Sequence, residues 1–324
     1  MLSISQYREA FVEYLDEKIQ VREPRNLYEP MKYILSLGGK RLRPVLVLMA
    51  TEIFDSDYRK ALDAALAIEI FHNFSLVHDD IMDDAPIRRG KETVHERWDI
   101  NTGILSGDAM LINAYQLFEN YEGNIFKELA QLFTKTAIEV CEGQQYDIDF
   151  ETQEDVSIED YLKMIEYKTA VLVGASLQMG AIVAETSDEC KKAVYEYGKL
   201  LGIAFQLQDD YLDAFGDPKT FGKQLGGDII ENKKTFLYLK SLEASSKSEA
   251  RQLEHLYTIN PAETSGKIET VKALFENSGA ARYTREEIEK YTRMAFEVLD
   301  KIEIPEEKKE PLRQFGESLM ERQV

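Results

Sequence analysis

Cysteine is scarce. The chain has 2 in 324 residues, Cys141 and Cys190, and neither has a partner near it in sequence. That argues against a disulfide framework and against a cysteine zinc site. Positive charge is also short: 39 Lys and Arg face 59 Asp and Glu, for a net charge of −20. Nucleic acid is therefore excluded as a partner, since a phosphate backbone needs a basic footprint. No apolar run approaches the roughly 20 residues of a membrane span. The most apolar stretch, residues 170–184, is short and carries Gln178. The start, Met1-Leu2-Ser3-Ile4-Ser5, lacks a basic region followed by an apolar core, so no signal peptide is expected. Also missing are alternating strand patterns, low-complexity linkers, a Walker A loop, and any Ser-His-Asp or Cys-His set for covalent catalysis. A reduced, cytoplasmic protein is expected. Any anionic ligand must meet a local basic cluster or a metal held by acids.

What remains is helix. Hydrophobic residues make up 44% of the chain, enough for a sizeable core. Their period is helical throughout. The pattern predicts one all-α domain over residues 1–324, with long helices packed round a central cavity. Continuous helices are expected over 58–83, 103–120, 124–149, 157–184 and 229–244, with residues 84–99 as a loop.

Two stretches organise the chain. The apolar run ending at His78 leads into Asp79-Asp80-Ile81-Met82-Asp83, and a second leads into Asp209-Asp210-Tyr211-Leu212-Asp213. Positions i and i+4 share a helix face, so Asp79 pairs with Asp83 and Asp209 with Asp213. Carboxylates at a helix C-terminus oppose the dipole, and like charges about 4 Å apart repel by up to about 4 kcal/mol at an intermediate dielectric. Spending that twice points to a bound cation. Oxygen-only ligands suit Mg2+, or Mn2+, rather than zinc.

Basic groups complement the acids. Gly38-Gly39-Lys40-Arg41-Leu42-Arg43-Pro44 is a Gly-led turn entering a helix, where backbone N–H groups and the charges of Lys40, Arg41 and Arg43 favour an anion. Arg88 and Arg89 follow the first acidic cluster in a loop ending at Gly90. His72 lies two turns before Asp79 on the same helix face. Lys168, Lys223 and Lys233 stand near apolar or Gly-rich segments, and Thr169 and Gln206 are polar residues inside apolar helices. Two metal-holding faces and two anion-holding faces round an apolar interior suit diphosphates with hydrocarbon tails.

In this ordered set, from about Lys32 to Lys234, the chain resembles the trans-isoprenyl diphosphate synthases, the polyprenyl synthetase family. The set also includes Gly143-Gln144-Gln145-Tyr146-Asp147 and Gly222-Lys223 to Lys233-Lys234-Thr235. The resemblance implies an isoprenoid-synthase-type helical bundle acting as a homodimer. It implies that Asp79, Asp83 and Asp209 ligate three Mg2+ ions, supported by Asp80, Asp210 and Asp213. Arg88, Lys168, Lys223 and Lys233 would grip the allylic diphosphate, and Lys40, Arg43, His72 and Arg89 the isopentenyl diphosphate. Lys168, Thr169 and Gln206 would stabilise the allylic cation. Product length would be set by Phe71, Phe74 and Ser75 just before the first motif. Helix geometry puts Ser75 about 40°, Phe71 about 80° and Phe74 about 140° from Asp79. The aromatic at Phe74 beside small Ser75 resembles synthases of geranylgeranyl diphosphate, with farnesyl or longer products as alternatives. A terpene cyclase and a non-catalytic regulatory subunit are the competing classes; two intact aspartate motifs and the Lys40–Arg43 turn argue against both.

Overall fold

The computed structural model describes residues 1–217 and 225–320. Its helices are α1 (Ile4–Lys18), α2 (Arg25–Ser36), α3 (Leu42–Ile53), α4 (Leu62–Met82), α5 (Val94–Arg97), α6 (Ile100–Gln116), α7 (Gly123–Thr152), α8 (Ile158–Ile165), α9 (Val171–Val183), α10 (Asp188–Phe215), α11 (Gly227–Ile230), α12 (Phe236–Ala244), α13 (Lys247–Leu256), α14 (Ser265–Asn277), α15 (Ala280–Asp300) and α16 (Glu306–Met320). The expected all-α architecture is the observed one. The chain divides into two compact units, Met1–Lys135 with Ala175–Lys192, and Thr136–Gly174 with Ala193–Val324.

In the first unit, α1 starts on a capping box in which Ser3 and Gln6 satisfy each other's backbone N–H groups. Helix α3 buries nearly every side chain from Pro44 to Ile53. It meets the end of α9 closely: Thr51 Oγ1 donates to Val47 O at 2.9 Å and to Gly180 O at 3.3 Å. Helix α4 is the central rod, with its middle, Ala64 to Phe71, wholly buried. It begins later than expected, because residues 58–61 form a separate 3-10 turn capped by Asp57. The expected loop after it is ordered. Strand β1 (Ile87–Arg88) pairs antiparallel with β2 (Lys91–Glu92). Arg89 and Gly90 turn the hairpin, both with left-handed backbone, φ 52° and 73°, as a tight two-residue hairpin turn requires.

The second unit departs from the expected continuous helices in two places. Residues 157–184 do not form one rod. Helix α8 ends at Ile165, Glu166–Ala170 adopts π geometry, and α9 resumes from Val171, whose N–H reaches back to Glu166 O. Residues 229–244 also break, between α11 and α12, where Asn232 takes a left-handed φ of 58°. The core here gathers Tyr161, Leu207, Tyr211, Phe236, Phe275 and their neighbours. Tyr197 in α10 donates to Leu312 O at 2.6 Å and so fastens α16.

Candidate active site

In the first unit, the last turn of α4 carries Asp79 and Asp80, and Asp83 caps it. A step of one residue rotates a helical side chain by about 100°. Asp80 accordingly points inward, 1% exposed, while Asp79 is half-buried and Asp83 exposed. Both Asp80 oxygens accept from Arg88 Nε at 2.8 Å, and Arg88 Nη2 lies 2.6 Å from Oδ1. The hairpin therefore delivers Arg88 to the aspartate motif.

Its neighbour Arg89 turns the other way and donates to Gly38 O. Gly39 lies beneath it with φ 123°; a Cβ there would sit 3.1 Å from the guanidinium carbon. The glycine is thus required both by backbone conformation and by the close approach. Arg43 Nη1 stands 3.2 Å from His72 Nε2, while Arg43 Nε is buried with no hydrogen-bond partner among the described residues. Burial, then the charges of Arg43, Arg89, Arg88 and Arg41, hold the His72 imidazole well below its ordinary pKa. It is a neutral ring among guanidiniums, an arrangement that would welcome an anion.

One member of the basic turn behaves differently from expectation. Arg41 is buried and pairs with Glu69 and with Leu35 O. Asn73 Nδ2 completes this knot, donating to Glu69 O at 2.8 Å and Oε1 at 3.1 Å. Arg41 therefore anchors the turn to α4 rather than facing a ligand. Lys40, beside it, is exposed.

The tail-length candidates lie on the same helix. Phe71 and Phe74 are buried with ring centroids 5.6 Å apart. Phe71 packs edge-on to Phe133 at 5.1 Å, and Phe74 packs against His78 at 4.8 Å. Ser75 Oγ is turned to His72 O at 2.9 Å. His78, without a role in the sequence reading, supports Phe74 and meets Ile104 O at 3.2 Å. Its ring fills the space that a side chain at Gly107 would need.

In the second unit a cavity of about 120 Å3 is lined by Lys168, Thr169, Gln206, Asp210 and Lys233, with Asp147, Tyr161 and Asp228 among its other walls. The π segment is what presents Lys168 and Thr169. Such bulges re-aim side chains and recur at functional sites. Two glycines admit it. A Cβ at Gly143 would collide with the Lys168 backbone N, and one at Gly202 would lie 2.6 Å from Ala170 Cα. Lys168 Nζ is held by Asp147 at 2.5 Å. Thr169 Oγ1 donates to Gln206 Oε1 at 3.1 Å, and Gln206 Nε2 donates to Asp210 Oδ1 at 2.8 Å. The buried Tyr161 hydroxyl donates to Asp210 Oδ2.

Asp209 and Asp213 are half-buried on the outer face of this helix end, and Asp210 is buried. Asp228 N–H donates to Asp213 Oδ2 at 3.0 Å. Burial pushes Asp210 up to about 7 against the help of its two donors, with Asp209 adding repulsion. Burial and then Asp210 and Asp213 push Asp228 up to about 8. Lys233 is paired with Glu231 at 2.8 Å. Burial works against its charge, but the Glu231 hydrogen bond, Asp228 and Asp147 outweigh that and raise its pKa. Lys223 lies outside the described residues. Tyr161 and Asp228 escaped the sequence reading; the signal for Asp228 was its place after Gly226-Gly227.

The chain as a whole is similar to proteins of known family and structure. The sequence model of the polyprenyl synthetase family matches residues 24–275. A geranylgeranyl pyrophosphate synthase of Geoglobus acetivorans is 39% identical over 90% of this chain and 89% of its own. A geranylfarnesyl diphosphate synthase of Natronomonas pharaonis is 36% identical over 88% of this chain and 86% of its own. The crystal structure of a geranylgeranyl pyrophosphate synthase superposes with a TM-score of 0.96 at 52% identity, covering 100% of both chains.

Proposed function

The chain belongs to the polyprenyl synthetase family, and from that premise we propose that it is a trans-prenyltransferase. It condenses isopentenyl diphosphate with an allylic diphosphate and releases pyrophosphate. The observation that carries this reading is the recurrence of one device: a helix end with carboxylates on its outer face and an inner aspartate hydrogen-bonded within the protein, each beside lysine or arginine.

The carboxylates fit Mg2+, or Mn2+. The donor set is all oxygen, and the raised affinity of Asp210 and Asp228 for protons marks a place short of positive charge. Asp79, Asp83 and Asp209 would hold the ions, supported by Asp213 and, from inside, by Asp80 and Asp210. The metal would neutralise the allylic diphosphate and make it a leaving group. Arg88, Lys168 and Lys233, with Lys223, add their charges to that diphosphate. Thr169 and Gln206 set their oxygen dipoles toward the developing cation, and Asp147 keeps Lys168 in place. Arg43, with its unsatisfied Nε, neutral His72, Lys40 and Arg89 take the diphosphate of isopentenyl diphosphate. No protein base is needed, because pyrophosphate can accept the proton released when the new double bond forms.

The product is geranylgeranyl diphosphate, limited by Phe74 with Phe71 behind it. The relatives named geranylgeranyl synthases support this, and the geranylfarnesyl relative makes one further isoprene unit the second reading. The working form is a homodimer in the cytoplasm. Supporting that are the exposed apolar residues of α6, Ile104, Leu105 (60%) and Ile112 (67%), and Phe126 in α7. Among the described residues no helix is long and apolar enough to cross a membrane.

The test is incubation of the purified chain with dimethylallyl, geranyl or farnesyl diphosphate, labelled isopentenyl diphosphate and Mg2+. Elongation of each starter to geranylgeranyl diphosphate is expected. A product formed from the allylic substrate alone would make the protein a cyclase.

A further inference from the structure

The first unit holds a second cluster of ligating groups that the prenyl-transfer reading does not use. Asp84 follows α4 with a left-handed φ of 49°, and His95 and Glu96 belong to α5. One ligand atom from each of these three residues lies within 4.8 Å of the other two. Glu96 Oε1 is 3.7 Å from His95 Nε2, beyond hydrogen-bond reach.

The decisive feature is His95. It is 8% exposed, yet neither Nδ1 nor Nε2 has a hydrogen-bond partner among the described residues. Buried polar atoms are ordinarily satisfied, and an orphan costs about 1–3 kcal/mol. A metal would satisfy one of these nitrogens directly. Asp84 and Glu96 are exposed, so their carboxylates can swing the ångström or so that brings ligand atoms up to 4.8 Å apart onto one ion at about 2.0–2.2 Å. The donor set also differs in kind from the aspartate motif. Imidazole with carboxylates selects Zn2+, Co2+ or Mn2+ over Mg2+, which prefers oxygen alone.

We propose that Asp84, His95 and Glu96 form a separate divalent transition-metal site that ties the end of α4 to α5. The residues between these ligands are the hairpin that carries Arg88 and Arg89. The bound ion would close that segment into a loop fixed at both ends and hold the two arginines in register.

Cobalt titration tests this on the full chain. With Mg2+ in large excess to occupy the aspartate motifs, Co2+ is added while its visible absorption and the emission of Trp98 are followed. Trp98, the single tryptophan, lies two residues from Glu96. The expected result is a saturable signal for one ion per chain, displaced by Zn2+ and accompanied by a higher Tm. His95→Gln should abolish it. Glu96→Gln, at an exposed position that leaves the fold intact, should weaken Co2+ roughly tenfold or more. Asp79→Asn should retain it. The proposal fails if the wild-type chain gives no saturable signal, if Glu96→Gln binds Co2+ as the wild type does, or if Asp79→Asn removes the signal. Should His95→Gln not fold, Glu96→Gln alone decides.

Discussion

The two aspartate-bearing helix ends share a plan and differ in how the inner carboxylate is held. In both, the first and fifth residues share an outer face while the second turns inward. Asp80 receives a guanidinium on both oxygens. Asp210 receives only neutral donors, the Tyr161 hydroxyl and the Gln206 amide. A guanidinium supplies the charge that a buried carboxylate lacks; a phenol and an amide supply only dipoles. Asp210 therefore rises to about 7 and its neighbour Asp228 to about 8, with Lys233 opposing this only in part. The first end carries its own counter-charge on the inner carboxylate, and the second holds its inner carboxylate through dipoles alone.

The largest effect should come from the outer carboxylates. Asp79→Asn and Asp209→Asn are each expected to lower kcat/KM by at least about a hundredfold, the scale of losing one preorganised charge contact in the transition state. Steady-state kinetics in saturating Mg2+ would show it, and equal losses would mark the two ends as partners in the chemistry despite their different interiors.

Stability should separate the inner carboxylates. Asp80→Asn leaves Arg88 without its charge partner and should cost roughly 2–4 kcal/mol in urea unfolding. Asp210→Asn keeps one oxygen for the Gln206 amide and turns its NH2 to the Tyr161 hydroxyl, which can rotate to accept, so it strands no charge and should cost under about 1 kcal/mol. Similar costs would erase the distinction between the two ends.

The pH dependence follows from the same difference. Below the ordinary aspartate value, 3.8, Asp228 is protonated in both folded and unfolded chains. Between that value and about 8 the folded protein keeps a proton that the unfolded chain has released. The metal-free protein should therefore lose stability as pH rises through this window and level off above it. Asp228→Asn should lessen the slope, leaving the share of Asp210 below about 7, and stabilise the metal-free protein by roughly 1–2 kcal/mol at the upper end, the cost of a buried charge. Melting in EDTA across the window checks this; a profile unchanged by the substitution would count against it.

The smallest kinetic effect belongs to the tail. Phe74→Ala should lengthen the product by one or two isoprene units with little change in turnover of the first condensation. Phe71→Ala should lengthen it too but cost about 3–5 kcal/mol of stability, because that ring packs against Phe133. Product chromatography with a farnesyl starter reads both, and unchanged length in the two variants would move the floor elsewhere.

Much of this site was legible in the sequence because its residues break a pattern. Asp79, Asp209 and the Gly38–Arg43 turn interrupt apolar runs, and periodicity alone assigns Asp83 and Asp213 to the same faces. What stayed hidden depends on partners distant in sequence. Arg41 read as one more basic residue of the turn, since nothing local reveals Glu69 as its partner. The π segment is invisible because Glu166–Ala170 has ordinary helix formers; its cause lies in the close approach of Gly143 and Gly202. The Arg88–Arg89 hairpin is too short for an alternating pattern, and its turn rests on an arginine with left-handed backbone. His78 looked like a spare histidine until Phe74 and Gly107 enclosed it.

The most direct test of the central claim is calorimetric titration of an unreactive allylic thiolodiphosphate into the wild type, Asp79→Asn and Asp209→Asn, with and without Mg2+. Mg2+-dependent binding in the wild type, weakened tenfold or more by either substitution while isopentenyl diphosphate still binds without metal, is the predicted result. Allylic binding that ignores Mg2+, or that survives either substitution unchanged, would contradict it.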